Sequence, residues 1–221
     1  MVYRLLREEN TFVLIDTNLS ISNGMIKLTV PIVDMQTVFS HTLARFLQRQ
    51  KNINPKNLIV IHPGASDPTK EWPAHRFAEL MNRLQEKYGS QFVIIGAQNN
   101  QKIVAQILSQ VKCPVLNLTG KTTISQLVSL LKRCRLLISN DSGPVHVADA
   151  LGIPVISIFT RNQPGINPER WQPLGKNSRV IVTPFKGEMS FAHKNPASSE
   201  YLELISTQQV LEAVDAIFKL C

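Results

Sequence analysis

Two short polar segments of this 221-residue chain carry residue types suited to holding a phosphorylated ligand. The first, residues 62–73, reads HPGASDPTKEWP, and the second, residues 139–152, reads SNDSGPVHVADALG. In the first segment Gly64 and Ser66 would let backbone and hydroxyl groups approach an anion, and Lys70 would add a mobile positive charge. The segment suits a nucleotide phosphate, but it also fits an ordinary turn with a solvated lysine.

The second segment could present backbone amides to an anion. Pro144 suits the first turn of a helix, which would leave the amides of Ser142 and Gly143 pointing outward at its positive end. A pyrophosphate would fit there. Asp141 could accept hydrogen bonds from sugar or ribose hydroxyls, or it could be the N-cap of the helix. His146 falls inside the helix, where a packed and hydrogen-bonded histidine is commoner than a catalytic one.

Both segments fall between a predicted strand and a predicted helix. From Leu58 onward short apolar runs alternate with amphipathic stretches, which is typical of βαβ units that build a parallel sheet. The strands are predicted at residues 58–61, 92–95, 115–118, 136–138, 155–158 and 179–182. This pattern predicts an α/β fold with a Rossmann-like, doubly wound parallel sheet, and such folds bind ligands at the carboxyl edge of the sheet. The two polar segments lie at that edge.

The helices are predicted from apolar residues at helical spacing. Their apolar faces consist of Phe77, Leu80, Met81, Leu84 and Tyr88 in one helix, Ile103, Val104, Ile107, Leu108 and Val111 in the next, and Ile124, Leu127, Val128 and Leu131 in the third. Gly89 is the predicted stop of the first helix. A further helix starts at Pro144, and residues 207–220 read as a closing helix.

Residues 1–56 lack this alternation. The apolar runs 12–15 and 25–30 could pair as a hairpin across residues 22–24, and residues 38–48 could form a helix. A second doubly wound domain usually needs about 100 residues or more. We therefore expect a truncated or atypical N-terminal appendage over residues 1–56 and a Rossmann-like domain over residues 57–221.

The order of several motifs adds a more specific indication. HPGAS, KEWP and FAEL are followed about seventy residues later by NDSGPVHVADALG, IPVISIF and a loop with PERW. Together they resemble the C-terminal domain of glycosyltransferase family nine, which includes the ADP-heptose:lipopolysaccharide heptosyltransferases. The likeness covers roughly residues 57–185, and the pair of motifs in this order is far more specific than either alone.

The resemblance implies one half of a GT-B architecture, in which two Rossmann-like domains face each other across a cleft. The C-terminal domain of such a pair holds the ADP-sugar, and no metal cofactor is needed. By resemblance, Ser66 and Lys70 would contact the donor phosphates. Asp141, Ser142 and Gly143 would hold the donor sugar and its pyrophosphate.

A second part of the donor pocket is implied at the loop after the third strand of the sheet. By resemblance, Thr119, Gly120 and Thr122 would line the adenine or ribose pocket. Gln98 falls where some family members place a carboxylate, which leaves its part in ribose or base recognition open. The implied partners are therefore a nucleotide-sugar donor and a glycan or lipid-linked acceptor.

Sugar transfer by this chain alone is not expected. An inverting transfer needs a general base for the acceptor hydroxyl and positive groups for the departing diphosphate. The family's base belongs to a glycine-containing loop near the start of the N-terminal domain, and residues 1–56 show no such strand, loop and helix. Asp16 is the one candidate substitute, but an Asp before Thr-Asn is more often a turn residue. The catalytic residues stay unassigned.

The composition indicates which partners and which cellular compartment to expect. The 24 Lys and Arg against 16 Asp and Glu give a formal charge of +8, which favours anionic partners. The basic residues are scattered, so nucleic-acid binding is not predicted. The three cysteines stand far apart, which indicates neither a zinc site nor a disulfide framework. The N-terminus lacks a signal peptide, so a cytoplasmic protein is expected, with a peripheral contact at the acidic inner membrane where lipid-linked acceptors lie.

The leading hypothesis is a glycosyltransferase-family protein that binds an ADP-heptose-like donor for transfer to lipopolysaccharide or another glycan. It would lack the complete acceptor and base domain. The alternative is a non-catalytic module for nucleotide-sugar binding or assembly. A nucleotide-sugar epimerase of GT-B architecture is a third possibility, but the spacing of HPGAS and KEWP argues against it.

Overall fold

The computed structural model describes residues 3–8, 11–16, 57–162, 168–184 and 202–220. The strands are β1 (Tyr3–Glu8), β2 (Thr11–Asp16), β3 (Leu58–His62), β4 (Gln91–Ile94), β5 (Val115–Asn117), β6 (Leu136–Asn140), β7 (Val155–Phe159) and β8 (Ser178–Val182). The helices are α1 (Ala74–Tyr88), α2 (Gln101–Leu108), α3 (Ile124–Leu131), α4 (Gly143–Ala150), α5 (Pro168–Trp171) and α6 (Thr207–Leu220). Two 3₁₀ turns, Pro68–Lys70 and Gln98–Asn100, follow β3 and β4.

Six of these strands form one parallel sheet in the order β5-β4-β3-β6-β7-β8. From β3 the chain winds outward through β4 and β5, and it then crosses back to β6 and winds outward on the other side. This order is that of a doubly wound sheet, and it reverses between β3 and β6. The predicted fold class is confirmed, and the reversal point is where such sheets form a ligand crevice.

The sheet is covered on both faces, which explains why its strands are apolar throughout. Every residue of β3, β6 and β7 is buried, as expected for parallel strands with helices on either side. Ile59 and Ile61 of β3 belong to the core that α1, α2 and α6 cover. Val60 points the other way, into the core that includes residues of α3 and α4.

The first and last helices follow the predicted patterns. The buried residues of α1 are Phe77, Ala78, Leu80, Met81 and Leu84. The helix ends at Gly89, whose backbone has a φ of 60°, a left-handed conformation that favours glycine. The closing helix α6 spans Thr207–Leu220, as predicted, and its residues Val210, Leu211, Val214 and Ile217 join the core.

The predicted apolar face of α3 is partly wrong. Leu130 and Leu131 are buried, but Ile124 is 59% exposed. The reason lies at the start of the helix, where the amide of Gln126 donates to Thr123 Oγ1 and the Gln126 side chain accepts from the Thr123 amide. This capping box makes Ile124 the first helical residue, at the end of the helix farthest from its buried residues.

The described N-terminal residues form two strands. Residues 12–15 lie within β2, which pairs in antiparallel register with β1, with Leu5 opposite Leu14. Residues 25–30, the predicted partner, and the predicted helix at 38–48 lie outside the described residues, so the division at residue 56 stays a prediction. Farther along the chain, the PERW sequence forms the short helix α5 inside a predicted loop. None of the described helices is both long and apolar enough to span a bilayer.

Candidate functional site

The two polar segments start side by side at the reversal point of the sheet. His62, the last residue of β3, is in register with Ser139 of β6. The first segment then forms the loop from β3 to α1, and the second forms the tight connection from β6 to α4. The predicted placement of both segments at the carboxyl edge is therefore what the structure shows.

Lys70 and Asp141 form an ion pair across this reversal point. Lys70 Nζ lies 2.9 Å from Asp141 Oδ2, and the two side chains are only 19% and 13% exposed. The 3₁₀ turn Pro68–Lys70 brings the lysine there, and Asp67 caps the turn by accepting a hydrogen bond from the Thr69 amide at 2.9 Å. A partly desolvated ammonium group thus stands beside the second segment, where a diphosphate can compete for it.

Asn140 holds the first segment at both of its ends. Its side chain is fully buried; Oδ1 accepts from the Trp72 amide at 3.0 Å, and Nδ2 donates to the Pro63 carbonyl at 2.6 Å. The Trp72 indole in turn donates to the Ile205 carbonyl at 2.8 Å. One buried amide side chain from β6 therefore sets the position of the loop that carries Lys70.

The residues directly after β7 also support this loop. Arg161, which is 8% exposed, donates through an Nη atom to Asp67 Oδ2 at 3.0 Å. The neighbouring Thr160 hydroxyl donates to the Thr69 carbonyl at 3.0 Å. Sequence reasoning missed both supports, because contacts across more than ninety residues leave no local pattern. Their position directly after a strand, at the carboxyl edge, is the one signal that could have indicated them.

Glu71 is an acidic side chain at the end of the same loop. Burial raises the pKa of its carboxyl group, a hydrogen bond from the Ala65 backbone opposes that rise, and the nearby charge of Asp67 adds to it. Ser66, predicted to contact a donor phosphate, is exposed in the same loop.

A buried histidine lies beneath the second segment. His62 Nδ1 is 3.2 Å from Ser139 Oγ and 3.0 Å from Ser142 Oγ, and the two hydroxyl oxygens are 2.9 Å apart. Burial lowers the pKa of His62 to about 4, so the imidazole is neutral near pH 7. Sequence reasoning treated His62 only as the start of a loop motif and did not anticipate this cluster.

The lowered pKa of His62 predicts an acid-sensitive fold. The unfolded chain takes up a proton as the pH falls through about 6.5, whereas the folded chain does so only near 4. Stability present above pH 6.5 is therefore lost as the pH falls from 6.5 towards 4, by about 3 kcal/mol for this group. Urea unfolding of the wild type and His62→Asn at pH 7.5, 6 and 5 would measure it. Parallel pH dependences of the two proteins would contradict the prediction.

The start of α4 lies at the carboxyl edge of the sheet, directly after β6. Ser142 is the N-cap residue, with extended backbone and no side-chain capping hydrogen bond, and Gly143 begins the helix. A Cβ built at Gly143 would meet no atom of the described residues within 4 Å, so these residues leave room beside the first turn. Asp141 is not the N-cap, which was one of the two interpretations; its carboxylate pairs with Lys70 instead. His146 is half-buried within α4.

The loops after β4 and β5 lie beyond the loop after β3 along the carboxyl edge of the sheet. A Cβ at Gly64 would overlap the Asn100 side chain, so the loop after β3 contacts the segment after β4. The Gly120 amide donates to the Gly96 carbonyl at 2.8 Å, so the segment after β4 in turn contacts the loop after β5. Gly120 has a φ of 70° and packs directly against the Gln98 side chain. The structure thus places Gln98 next to the predicted base or ribose pocket.

The three residues predicted to line that pocket differ in exposure. Thr119 is 3% exposed, and its Oγ1 has no hydrogen-bond partner among the described residues. Gly120 is exposed and Thr122 is half-buried. All three belong to the β5 loop, with β4 between them and β3, so they lie along the same edge as Lys70 at a distance of two strands.

Comparison with known proteins gives consistent matches over most of the chain. The sequence pattern of glycosyltransferase family 9 (heptosyltransferase) matches residues 14–199. Lipooligosaccharide heptosyltransferase 2 of Haemophilus ducreyi is 33% identical over 171 residues, which cover 73% of this chain and 47% of the relative.

Two solved structures share the fold. The glycosyltransferase family 9 structure from Veillonella parvula has a TM-score of 0.67 at 25% identity, covering 81% of this chain and 51% of that one. The ADP-heptose lipopolysaccharide heptosyltransferase II of E. coli has a TM-score of 0.65 at 25% identity, covering 89% and 55%. The chain spans about half the length of the relatives it matches, which fits one half of a GT-B architecture.

Proposed function

The chain belongs to glycosyltransferase family 9, and on that premise we propose that the carboxyl edge of its sheet binds a nucleotide-activated sugar, ADP-heptose or a close analogue. The sugar would be destined for lipopolysaccharide or another glycan acceptor. The observation that carries this proposal is the Lys70–Asp141 ion pair, because it joins the two family motifs at the reversal point of the sheet.

Each group at the edge suits one part of such a donor. The amides of Ser142 and Gly143 at the start of α4 can hold the diphosphate, with Lys70 as the neutralising cation. Ser66 can add a hydroxyl contact to a phosphate oxygen. Asp141 lies next to these groups and offers acceptor oxygens to sugar hydroxyls.

The nucleoside would extend along the edge towards β5. Thr119, Gly120 and Thr122 lie there, and we propose that they contact the adenine or ribose. The Thr119 hydroxyl has no partner among the described residues, which supports this proposal, because a buried hydroxyl without a partner costs free energy that a ligand hydrogen bond would recover. Gln98, beside Gly120, can both donate and accept, whereas a carboxylate at that position would only accept.

Departure of the diphosphate requires positive charge, and we propose that protein groups supply it without a metal cofactor. Lys70 and the helix start of α4 face the place where charge would develop. Titration with ADP in the presence and absence of a chelator tests this proposal: binding that chelation abolishes and a divalent cation restores would contradict it.

Binding and transfer are separate proposals for this chain. The proposed donor groups all lie in the described residues, whereas the general base stays unassigned; Asp16 is the last residue of β2. The alternative function is a non-catalytic module that binds the nucleotide sugar. Sugar transfer by the purified 221-residue chain would eliminate that alternative.

Isothermal titration with ADP and with ADP-heptose tests donor binding directly. Both ligands are expected to bind saturably, and ADP-heptose more tightly. The titrations should be run at two temperatures, because a binding enthalpy near zero at one of them changes with temperature when apolar surface is buried. Folded protein that gives no heat with either ligand at both temperatures would rule out the donor site.

We also propose a cytoplasmic location with peripheral contact at an acidic membrane, on the strength of the net charge of +8. Relatives in the family act on lipopolysaccharide, as their names state. Co-sedimentation with liposomes should increase with the fraction of anionic lipid and fall with added salt. Binding that does not respond to anionic lipid would remove the support for this contact.

A further inference from the structure

Three side-chain atoms beneath the start of α4 lie within hydrogen-bond distance of one another. They are His62 Nδ1, Ser139 Oγ and Ser142 Oγ, separated by 3.2, 3.0 and 2.9 Å. His62 and Ser139 are buried, while Ser142 is half-buried at the crevice. The positions of the hydroxyl and ring protons in this triangle determine whether the Ser142 hydroxyl can donate a hydrogen bond to a ligand or only accept one.

The proton of Ser139 is already committed. Its hydroxyl oxygen lies 2.7 Å from the Asn140 carbonyl, which has no proton of its own, so Ser139 is the donor in this contact. A hydroxyl has a single proton, and Ser139 Oγ can therefore only accept in its contacts with His62 and Ser142.

In either tautomer of the neutral imidazole the Ser142 proton has an acceptor within the triangle. If Nδ1 carries the ring proton, His62 donates to Ser142, and Ser142 donates onward to Ser139 Oγ. If Nε2 carries it, Nδ1 is an acceptor and Ser142 donates to it. In both arrangements the Ser142 oxygen keeps at least one lone pair, and no proton, for a ligand.

We propose that His62 and Ser139 are positioning residues that retain the Ser142 hydroxyl proton, so that Ser142 accepts a hydrogen bond from the transferred sugar and makes none to the diphosphate. Phosphate oxygens of an ionised diphosphate only accept hydrogen bonds, whereas each sugar hydroxyl can donate one. The inference rests on the proposed donor-binding function and specifies which part of the donor this hydroxyl recognises.

In this assignment the diphosphate contacts hydrogen-bond donors of the protein, and the sugar contacts hydrogen-bond acceptors. Backbone amides and Lys70 donate, and they face the diphosphate, which accepts. Ser142 Oγ and the Asp141 carboxylate accept, and they are adjacent in the chain, so together they suit the hydroxyls of the sugar. Burial lowers the pKa of His62 to about 4, so the imidazole is neutral near pH 7, as both of these hydrogen-bond arrangements require.

The test compares the affinities for ADP and ADP-heptose in three variants of the full chain. Ser142→Ala should weaken ADP-heptose binding about five- to tenfold more than ADP binding, the effect of one lost hydrogen bond. His62→Leu should cause the same selective loss. His62→Asn should recover most of the preference, because the Asn side-chain amide can reach the position of Nδ1.

The possible outcomes separate this inference from the proposed function. Equal weakening of both ligands by Ser142→Ala, or an unchanged preference, would overturn the inference while wild-type binding upheld the donor site. A purely structural role of His62 would weaken both ligands in parallel and would not be rescued by His62→Asn. Should His62→Leu fail to fold, Ser142→Ala and Ser139→Ala carry the comparison. Wild-type protein that bound neither ligand would overturn both proposals.

Discussion

Replacing Lys70 with alanine is expected to weaken ADP binding by about 100-fold or more. The variant loses a charge-assisted contact to the diphosphate, and it leaves the Asp141 carboxylate, 13% exposed, without its partner beside an anionic ligand. Truncating one member of such a pair typically costs about 2–5 kcal/mol, and 1.4 kcal/mol corresponds to a factor of ten. Isothermal titration with ADP, after thermal unfolding has shown that the variant is folded, measures the loss.

Two further variants show whether the carboxylate is responsible for part of this loss. Asp141→Asn frees Lys70 from its partner and should tighten ADP binding about fivefold. The double variant Lys70→Ala, Asp141→Asn should recover part of the affinity that Lys70→Ala loses, because the repulsive charge is gone. Lys132→Ala is the matched control: this lysine is exposed and follows the end of α3, at the opposite edge of the sheet. Retention of ADP affinity within threefold in Lys70→Ala would refute the proposed role.

Replacing Asn140 with alanine is expected to lower the free energy of unfolding by about 2–4 kcal/mol. The change removes the partners of the Trp72 amide and the Pro63 carbonyl, and each buried group left unpaired costs about 1–3 kcal/mol. For a domain of this size the loss corresponds to a fall in Tm of roughly 5–15 °C. Thermal and urea unfolding monitored by circular dichroism would measure it. A Tm within 2 °C of the wild type would show that Asn140 does not hold the loop.

Asn140→Asp tests the direction of the two hydrogen bonds with almost no change in shape. A carboxylate can still accept from the Trp72 amide, but it places a second acceptor 2.6 Å from the Pro63 carbonyl. The variant should be strongly destabilised at pH 7. At pH 5 the difference from the wild type should narrow, because a protonated carboxyl group can donate to the carbonyl. An equal difference at the two pH values would contradict this account.

The fold was predictable because its signals are local. Parallel strands covered on both faces need apolar residues at every position, so runs such as those of β3 and β7 stand out in the sequence. Each helix that covers the sheet needs one apolar face, and α1 and α6 have such a face. The face of α3 was less predictable, because adjacent leucines allow several faces and the capping box at Thr123 decides which end is exposed.

The position of the two segments at the carboxyl edge of the sheet was predictable, but the contacts that shape them were not. Glycine, lysine and proline in strand-to-helix loops indicate an anion site from residue types alone. The hydrogen-bond partners within these segments were not predictable. Arg161 contacts Asp67 across ninety-four residues of sequence, and Ser139 contacts His62 across seventy-seven residues. Such pairs depend on strand order and register, which alternating apolar runs do not specify.

In the proposed function the loops after β3 and β6 jointly bind the diphosphate of a nucleotide sugar. An NMR titration of ¹⁵N-labelled protein with ADP, with the backbone amides of Ser66, Ser142 and Gly143 assigned, tests this joint binding. We expect all three amide signals to shift along one saturable curve, and we expect Lys70→Ala to shift this curve to much higher ADP concentrations. Signals that stay in place at saturating ADP, or that move only on another face of the protein, would contradict it.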